Sequence, residues 1–214
     1  MSDSKGVFMS QSKNIKRLVL LSMFIGIEIV LMCTPLGFIP IGPIKATTLH
    51  IPVLILAMVL GVKEGMILGL FFGISSIITN TLQPTMFSFC FSPFYSIGDI
   101  SGNLGSIVIA VFPRLMLAIF CGGLYKQLSK QIKHELAIGI SSAVGSLVHT
   151  FMVILLIYHF FGREYAHVAG FAYETFLNVI KMTILTNGMT EAILAVIISI
   201  SIMKVFKVKG VHYE

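Results

Sequence analysis

Four ionisable residues stand inside long apolar runs of this sequence: Glu28, Arg114, His149 and Glu191. A charge buried in hydrocarbon is costly, so such residues either pair with one another or face a cavity that takes an ionic or polar solute. An ion pair of Arg114 with Glu28 or Glu191 is the structural reading; a solute site is the functional one. Arg114 follows Pro113, whose missing N–H frees a carbonyl one turn back. A second polar set closes the stretch Pro35–Pro52, which holds three prolines and two glycines in its first nine residues and so enters as a rigid, non-helical segment. Lys45, Thr47, Thr48 and His50 then put polar groups where a helix begins. A helix N-terminus with a lysine beside it favours an anion such as a carboxylate or phosphate. A threonine cap is the plainer alternative.

Other chemistry lacks its residues. There is no GxxxxGK[ST] phosphate loop, so energy from ATP has to come from a partner. His134-Glu135 is not followed by the second histidine of HExxH, and Cys33, Cys90 and Cys121 are too far apart for a metal site or a disulfide framework. Buried free thiols, no metal and no cofactor are expected. Ser75 or Ser141 with His149 would be the pair of an intramembrane hydrolase, but small residues in membrane helices more often serve close packing.

The elements that carry these residues are membrane helices. Only 11% of the 214 residues are charged and 56% are hydrophobic, with a mean hydropathy of +0.95. A soluble domain carries about 25% charged residues. The net charge of +6 does not indicate nucleic acid, because the basic residues sit at the ends of apolar runs, where they orient helices. Six runs can be marked, near Ile15–Cys33, Leu49–Gly61, Gly65–Thr79, Leu104–Leu124, Leu136–Phe161 and Leu185–Val205. The second is expected to start before Leu49 and the third to run past Thr79, since a span needs about 17–25 residues. A polar tail, 1–14, precedes a membrane domain, 15–208, and a short tail, 209–214, follows. No removable signal peptide is expected.

With the N-terminus in the cytoplasm, eleven Lys and Arg fall on the inside and three, Lys45, Arg163 and Lys181, on the outside. The positive-inside rule then puts both termini in the cytoplasm. The long outer loops are Thr34–Thr48, Asn80–Asn103 and Gly162–Ile184. The second is rich in aromatics, including Phe94 and Tyr95, and either lies in the membrane interface or closes over a pocket. No internal repeat supports an inverted-repeat transporter. On the first helix Ser22 and Gly26 form a small-xxx-small pair, which lets another helix approach closely.

The whole pattern resembles the substrate-binding S components of energy-coupling factor (ECF) vitamin transporters. The resemblance rests on six helices with both ends inside and on the charged turn Gly61-Val62-Lys63-Glu64-Gly65. It rests also on the outer loop Ser92-Pro93-Phe94-Tyr95-Ser96-Ile97-Gly98-Asp99, on Pro113-Arg114 and on the small pair of the first helix. It covers Ile15 to Val208. Pro35–Pro43 followed by Ala46-Thr47-Thr48-Leu49-His50-Ile51-Pro52 looks most like the pantothenate-type members. The resemblance implies an all-α, six-helix membrane bundle that is not an enzyme. Such a protein binds a vitamin at its outer face and works with a transmembrane coupling subunit and two ATPase subunits. Ser22 and Gly26 stand where the family has a docking motif, usually Ala-xxx-Ala, and loops Thr34–Thr48 and Asn80–Asn103 match the family's gate. Pantothenate is an acid with hydroxyls and an amide. Lys45 or Arg114 would meet its carboxylate, and Thr47, Thr48, His50, Asn80, Asn103 and Asn187 its polar groups, with Phe94 and Tyr95 enclosing it. Riboflavin or a pyridoxine-like compound on the same fold is the nearest alternative. An intramembrane hydrolase and a standalone carrier are alternatives from other classes.

Overall fold

The computed structural model describes residues 3–41 and 44–208. The expected C-terminal tail with Lys209, and Gly42 and Pro43 of the proline-rich stretch, lie outside the described residues. Helix α1 (Asp3–Cys33) begins within the polar N-terminal segment, and a 3-10 turn (Pro35–Gly37) leads into an antiparallel hairpin of β1 (Phe38–Ile41) and β2 (Ile44–Thr47). Then come α2 (Ile51–Val59), α3 (Val62–Leu82), a two-residue ribbon of β3 (Ser96–Ile97) and β4 (Ile100–Ser101), α4 (Leu104–Leu128) and α5 (His134–Ala169). A final helical run holds α6 (Phe176–Thr183), a π turn (Ile184–Gly188) and α7 (Met189–Val208).

Helix α2 is the centre of the bundle. Every one of its nine residues is buried. At 1.5 Å per residue it is about 14 Å long, half the ~30 Å of a hydrocarbon core. It starts at Ile51 and not before Leu49, because Thr47 is still extended and pairs with Phe38 across the hairpin. Pro52 is tolerated there, since the first turn's N–H groups have no helical partner. Glycines of the three surrounding helices let them close on α2. A Cβ at Gly65 of α3 would stand 2.6 Å from the Ala57 Cβ, one at Gly122 of α4 3.0 Å from the Ala57 carbonyl oxygen, and one at Gly145 of α5 2.7 Å from a Leu54 methyl. No side chain fits so close to Ala57 at Gly65, and at Gly122 and Gly145 a neighbour would have to shift. Gly69 and Gly73 continue the stripe of Gly65 along α3 and meet the α4 backbone at the carbonyls of Arg114 and Ala110.

The reversal between α2 and α3 uses Gly61 at φ +111°, a conformation that only glycine adopts without strain. Arg17 of α1 ties this turn down, donating to the Leu60 carbonyl at 3.1 Å and to Glu64 at 2.6 Å. Helix α3 runs to Leu82, past Thr79 as its apolar content predicts. The stretch expected as the last outer loop is largely helical: α5 kinks at Phe161, continues to Ala169, and α6 precedes the π turn.

Helices α3, α4, α5 and the run Tyr173–Val205 are long and apolar enough to cross a membrane. Their outward faces expose residues such as Ile74, Phe112, Phe151 and Ile193, which suits lipid. A second, aromatic cluster packs the far end of α5 against the loop between α3 and α4. There Phe87 stacks on Tyr165 at 4.5 Å, Tyr165 on Phe176 at 5.2 Å, and Phe89 meets Phe161 edge-on at 5.5 Å.

Candidate functional site

Pro113 lacks the N–H that would bond the Ile109 carbonyl, and the Arg114 side chain turns back and donates to that same carbonyl at 2.7 Å. The guanidinium is thereby held inside the bundle, 6% exposed, 5.0 Å from the ring of Phe72 on α3 and 5.7 Å from that of Phe91 in the loop before β3. Two aromatic faces steady the cation without neutralising it. Its Nε has no hydrogen-bond partner among the described residues.

Around Arg114 lie further unpaired groups. Glu28 of α1 is completely buried, and neither carboxylate oxygen has a partner among the described residues. Glu28 and Arg114 interact through their charges but form no direct ion pair. His149 of α5 is buried, and neither ring nitrogen has a hydrogen-bond partner among the described residues; its ring stacks on His50 at 5.7 Å and lies 6.5 Å from Phe72. Buried polar atoms left unpaired cost free energy, and a solute supplying donors and acceptors recovers it. A cleft of about 370 Å³ opens between α1 and α3. It is lined mainly by Ile29, Met32, Ser75, Ile78 and Leu82, and Glu28, Arg114 and His149 are not among its lining residues. Such a volume is in the range of small-molecule sites, roughly 300–1,000 Å³.

Beside these unpaired groups stands a fully paired one. Glu191 on α7 takes Thr47 through both its N–H (3.0 Å) and its hydroxyl (2.7 Å) on Oε1, and Thr150 of α5 on Oε2 (2.9 Å). His50 is anchored nearby by Ser146 at 3.1 Å. Thr48 bonds the Leu36 carbonyl at 2.7 Å, fixing the base of the hairpin.

Of the residues singled out in the sequence, the structure brings Arg114, His50 and Thr47 to this interior, with Glu28, His149 and Glu191. Lys45 lies on β2 opposite Pro40, and its side chain falls outside the described part of the structure. Asn80 is engaged locally: its amide nitrogen donates to the Ser76 carbonyl at 2.8 Å and its oxygen accepts from Ser88 at 2.7 Å. Asn103 caps α4 through the Gly105 N–H at 2.7 Å, in a reciprocal box with Ser106. Asn187 is half-buried on the π turn, accepting from Thr186 at 3.3 Å. Phe94 is 78% exposed, and Tyr95 packs against the aromatic cluster. Phe72, Ser146 and Thr150 were not singled out in the sequence, and Phe91 was noted only as one of the aromatics of the outer loop. Phe91 follows the aromatic alternation Phe87, Phe89, Phe91, whereas Phe72 carries no signal that separates it from other apolar positions.

Ser22 and Gly26 are exposed on α1, and nothing stands within 4 Å of a Cβ built on Gly26. Ser141 makes no bond to His149; both lack partners among the described residues. The thiols are free: Cys90 and Cys121 are buried, and burial pushes the Cys90 thiol well above its ordinary range. Cys33 is exposed, contrary to expectation, because it closes α1 at the mouth of the cleft.

Comparison with known proteins adds two findings. Residues 16–204 match the family described as "ECF transporter, substrate-specific component". The chain is also 32% identical over 187 residues to the pantothenic acid transporter PanT of Lactococcus lactis subsp. cremoris (strain MG1363), covering 86% of this chain and 90% of that protein.

Proposed function

The chain belongs to the family of ECF transporter substrate-specific components, and on that premise we propose that it is the high-affinity pantothenate-binding subunit of an ATP-driven ECF importer. It is a multi-pass membrane protein of a transporter family, and in this reading it catalyses no reaction itself. The observation that carries the ligand assignment is the buried, aromatic-flanked Arg114 beside the unpaired Glu28 and His149. A small acid with hydroxyls and an amide matches this set. Its carboxylate meets the guanidinium, whose planar fork suits that geometry. Its hydroxyls and amide meet Glu28, His149 and His50. Riboflavin, flat and uncharged, would leave the cation unused. The relative's printed name gives independent support for pantothenate.

The bundle is read as six crossings with both termini in the cytoplasm, the hairpin and α2 together making the second. Two ion pairs support that orientation, since each joins segments assigned to the inside. Arg17 bonds Glu64 at 2.6 Å, and Lys204 meets Glu135 at 3.3 Å. The exposed Ser22 and Gly26 offer a flat helix face to a transmembrane coupling subunit, with two ATPase subunits supplying the energy.

The test is binding of radiolabelled pantothenate to the purified chain, with unlabelled pantothenate, riboflavin and pyridoxine as competitors. Saturable binding displaced by pantothenate alone is expected. Binding of another vitamin in its place overturns the ligand; binding of none overturns the subunit reading. Uptake into vesicles without ATPase partners would favour a standalone carrier.

A further inference from the structure

The cleft between α1 and α3 belongs neither to the surroundings of Arg114 nor to those of Glu191. The two helices run in the same direction and are clamped at one end, where Arg17 bonds Glu64. At the other end they part, and the cleft occupies the gap. Helix α3 has 21 residues, about 31 Å at 1.5 Å per residue, which matches a hydrocarbon core of about 30 Å. Leu82 ends that helix and Gln83 closes it. The open end of the cleft therefore stands at the depth where acyl chains meet their ester groups.

The walls are amphipathic. Ile29 and Met32 of α1 stand across from Ile78 and Leu82 of α3 and supply the apolar part. Ser75, Thr79 and Gln83 recur every four residues along α3 and form a polar stripe. That stripe passes from buried through half-buried to exposed toward the open end. No Lys, Arg, Asp or Glu lines the cleft. Val30 and Ile74, each next to a lining residue, are exposed, so the lipid-facing surface of this membrane protein runs into the cleft.

We infer that the cleft is a site for one glycerophospholipid of the leaflet at that end, the outer one in the topology proposed above. An acyl chain lies against Ile29, Met32, Ile78 and Leu82, and the glycerol-ester oxygens accept from the Thr79 hydroxyl and the Gln83 amide. Hydrocarbon is the solvent there, and a gap left empty forfeits the contacts of its lining. The polar stripe makes the site specific. Hydroxyl and amide donors at the edge of hydrocarbon cost free energy unless an acceptor meets them, and ester carbonyls are the acceptors a bilayer supplies at this depth. With no charge in the lining, a zwitterionic and an anionic lipid of equal chain length bind alike. Pantothenate, a charged acid, finds no cation here, so the site stands apart from the proposed function.

The test uses the full chain in lipid nanodiscs with a trace of phosphatidylcholine or phosphatidylglycerol that carries a photoreactive diazirine in one acyl chain. Adducts are mapped by peptide mass spectrometry. Phe112, exposed on another face, reports ordinary bilayer contact. Adducts at Met32 should exceed those at Phe112 by about fivefold, the factor that one net hydrogen bond supplies, and equally with both probes. Ile78→Trp and Leu82→Trp each fill the cleft from a position more than half exposed, so the core is not disturbed. Each should abolish the excess at Met32 and leave Phe112 unchanged. The double variant Thr79→Val, Gln83→Leu keeps the space but removes both donors, and should bring the two yields level. An even spread of adducts in wild type, an excess that survives either tryptophan or the double variant, or an excess with the anionic probe alone would each overturn the site. Loss of the excess under saturating pantothenate would also overturn it, and would assign the cleft to the solute.

Discussion

Two carboxylates are buried in this bundle, Glu191 on α7 and Glu28 on α1, and their surroundings are opposite. Glu191 has three donors from two other elements, whereas Glu28 has none among the described residues and only the charge of Arg114 acting on it. A paired buried carboxylate fixes geometry. A buried carboxyl group without partners leaves its hydrogen-bonding capacity unmet. The contrast divides the interior into a frame, built by Thr47, Thr150 and Glu191, and, in the function proposed above, a receptor built by Glu28, Arg114 and His149. Stability and binding should therefore respond differently in the two regions.

The largest expected effect is on the frame. Glu191→Leu strands the Thr47 and Thr150 donors and should destabilise the ligand-free chain by about 4 kcal/mol. Glu28→Leu should leave its melting temperature unchanged or raise it, since no hydrogen bond is lost. Thermal unfolding in detergent checks both, and equal losses would erase the distinction. Next, Arg114→Ala should weaken pantothenate binding by about 3 kcal/mol, roughly a hundredfold, measured by equilibrium binding. Arg114→Lys should recover only part of it, because an ammonium lacks the planar fork that meets a carboxylate and stacks on Phe72 and Phe91. Phe91→Ala removes one of the two aromatic faces and should cost about 1 kcal/mol of affinity. The smallest effect is expected at the exposed Phe94, where alanine should change affinity by less than about 0.5 kcal/mol.

Charge inside apolar runs made Glu28, Arg114, His149 and Glu191 legible in the sequence, but not which of them would be paired. That depends on Thr47 and Thr150, brought to Glu191 from 144 and 41 positions away. Asn80 and Asn103 illustrate a different limit. A polar residue at the mouth of a bundle reads as a ligand contact, yet these side chains close the local turns at the two ends of the loop between α3 and α4. The run Leu49–Gly61 was legible as apolar but not as a short central helix, because hydropathy does not separate burial by lipid from burial by neighbours. The glycines facing α2 carried that information. Gly65, Gly69 and Gly73 recur at the spacing of one helix face, and the crossing partners they admit appear only in three dimensions. Phe72 was invisible among 17 phenylalanines.

The central claim, that Arg114 receives the carboxylate of the solute, is tested most directly by calorimetric titration of wild type and Arg114→Ala. Each would be titrated with pantothenate and with its alcohol analogue, in which a hydroxymethyl group replaces the carboxylate. Wild type should prefer the acid by about a hundredfold, and in Arg114→Ala that preference should collapse to within a fewfold. A preference for the acid that survives intact in Arg114→Ala would contradict the account and move the anion site elsewhere, with Lys45 on the hairpin the first residue to examine.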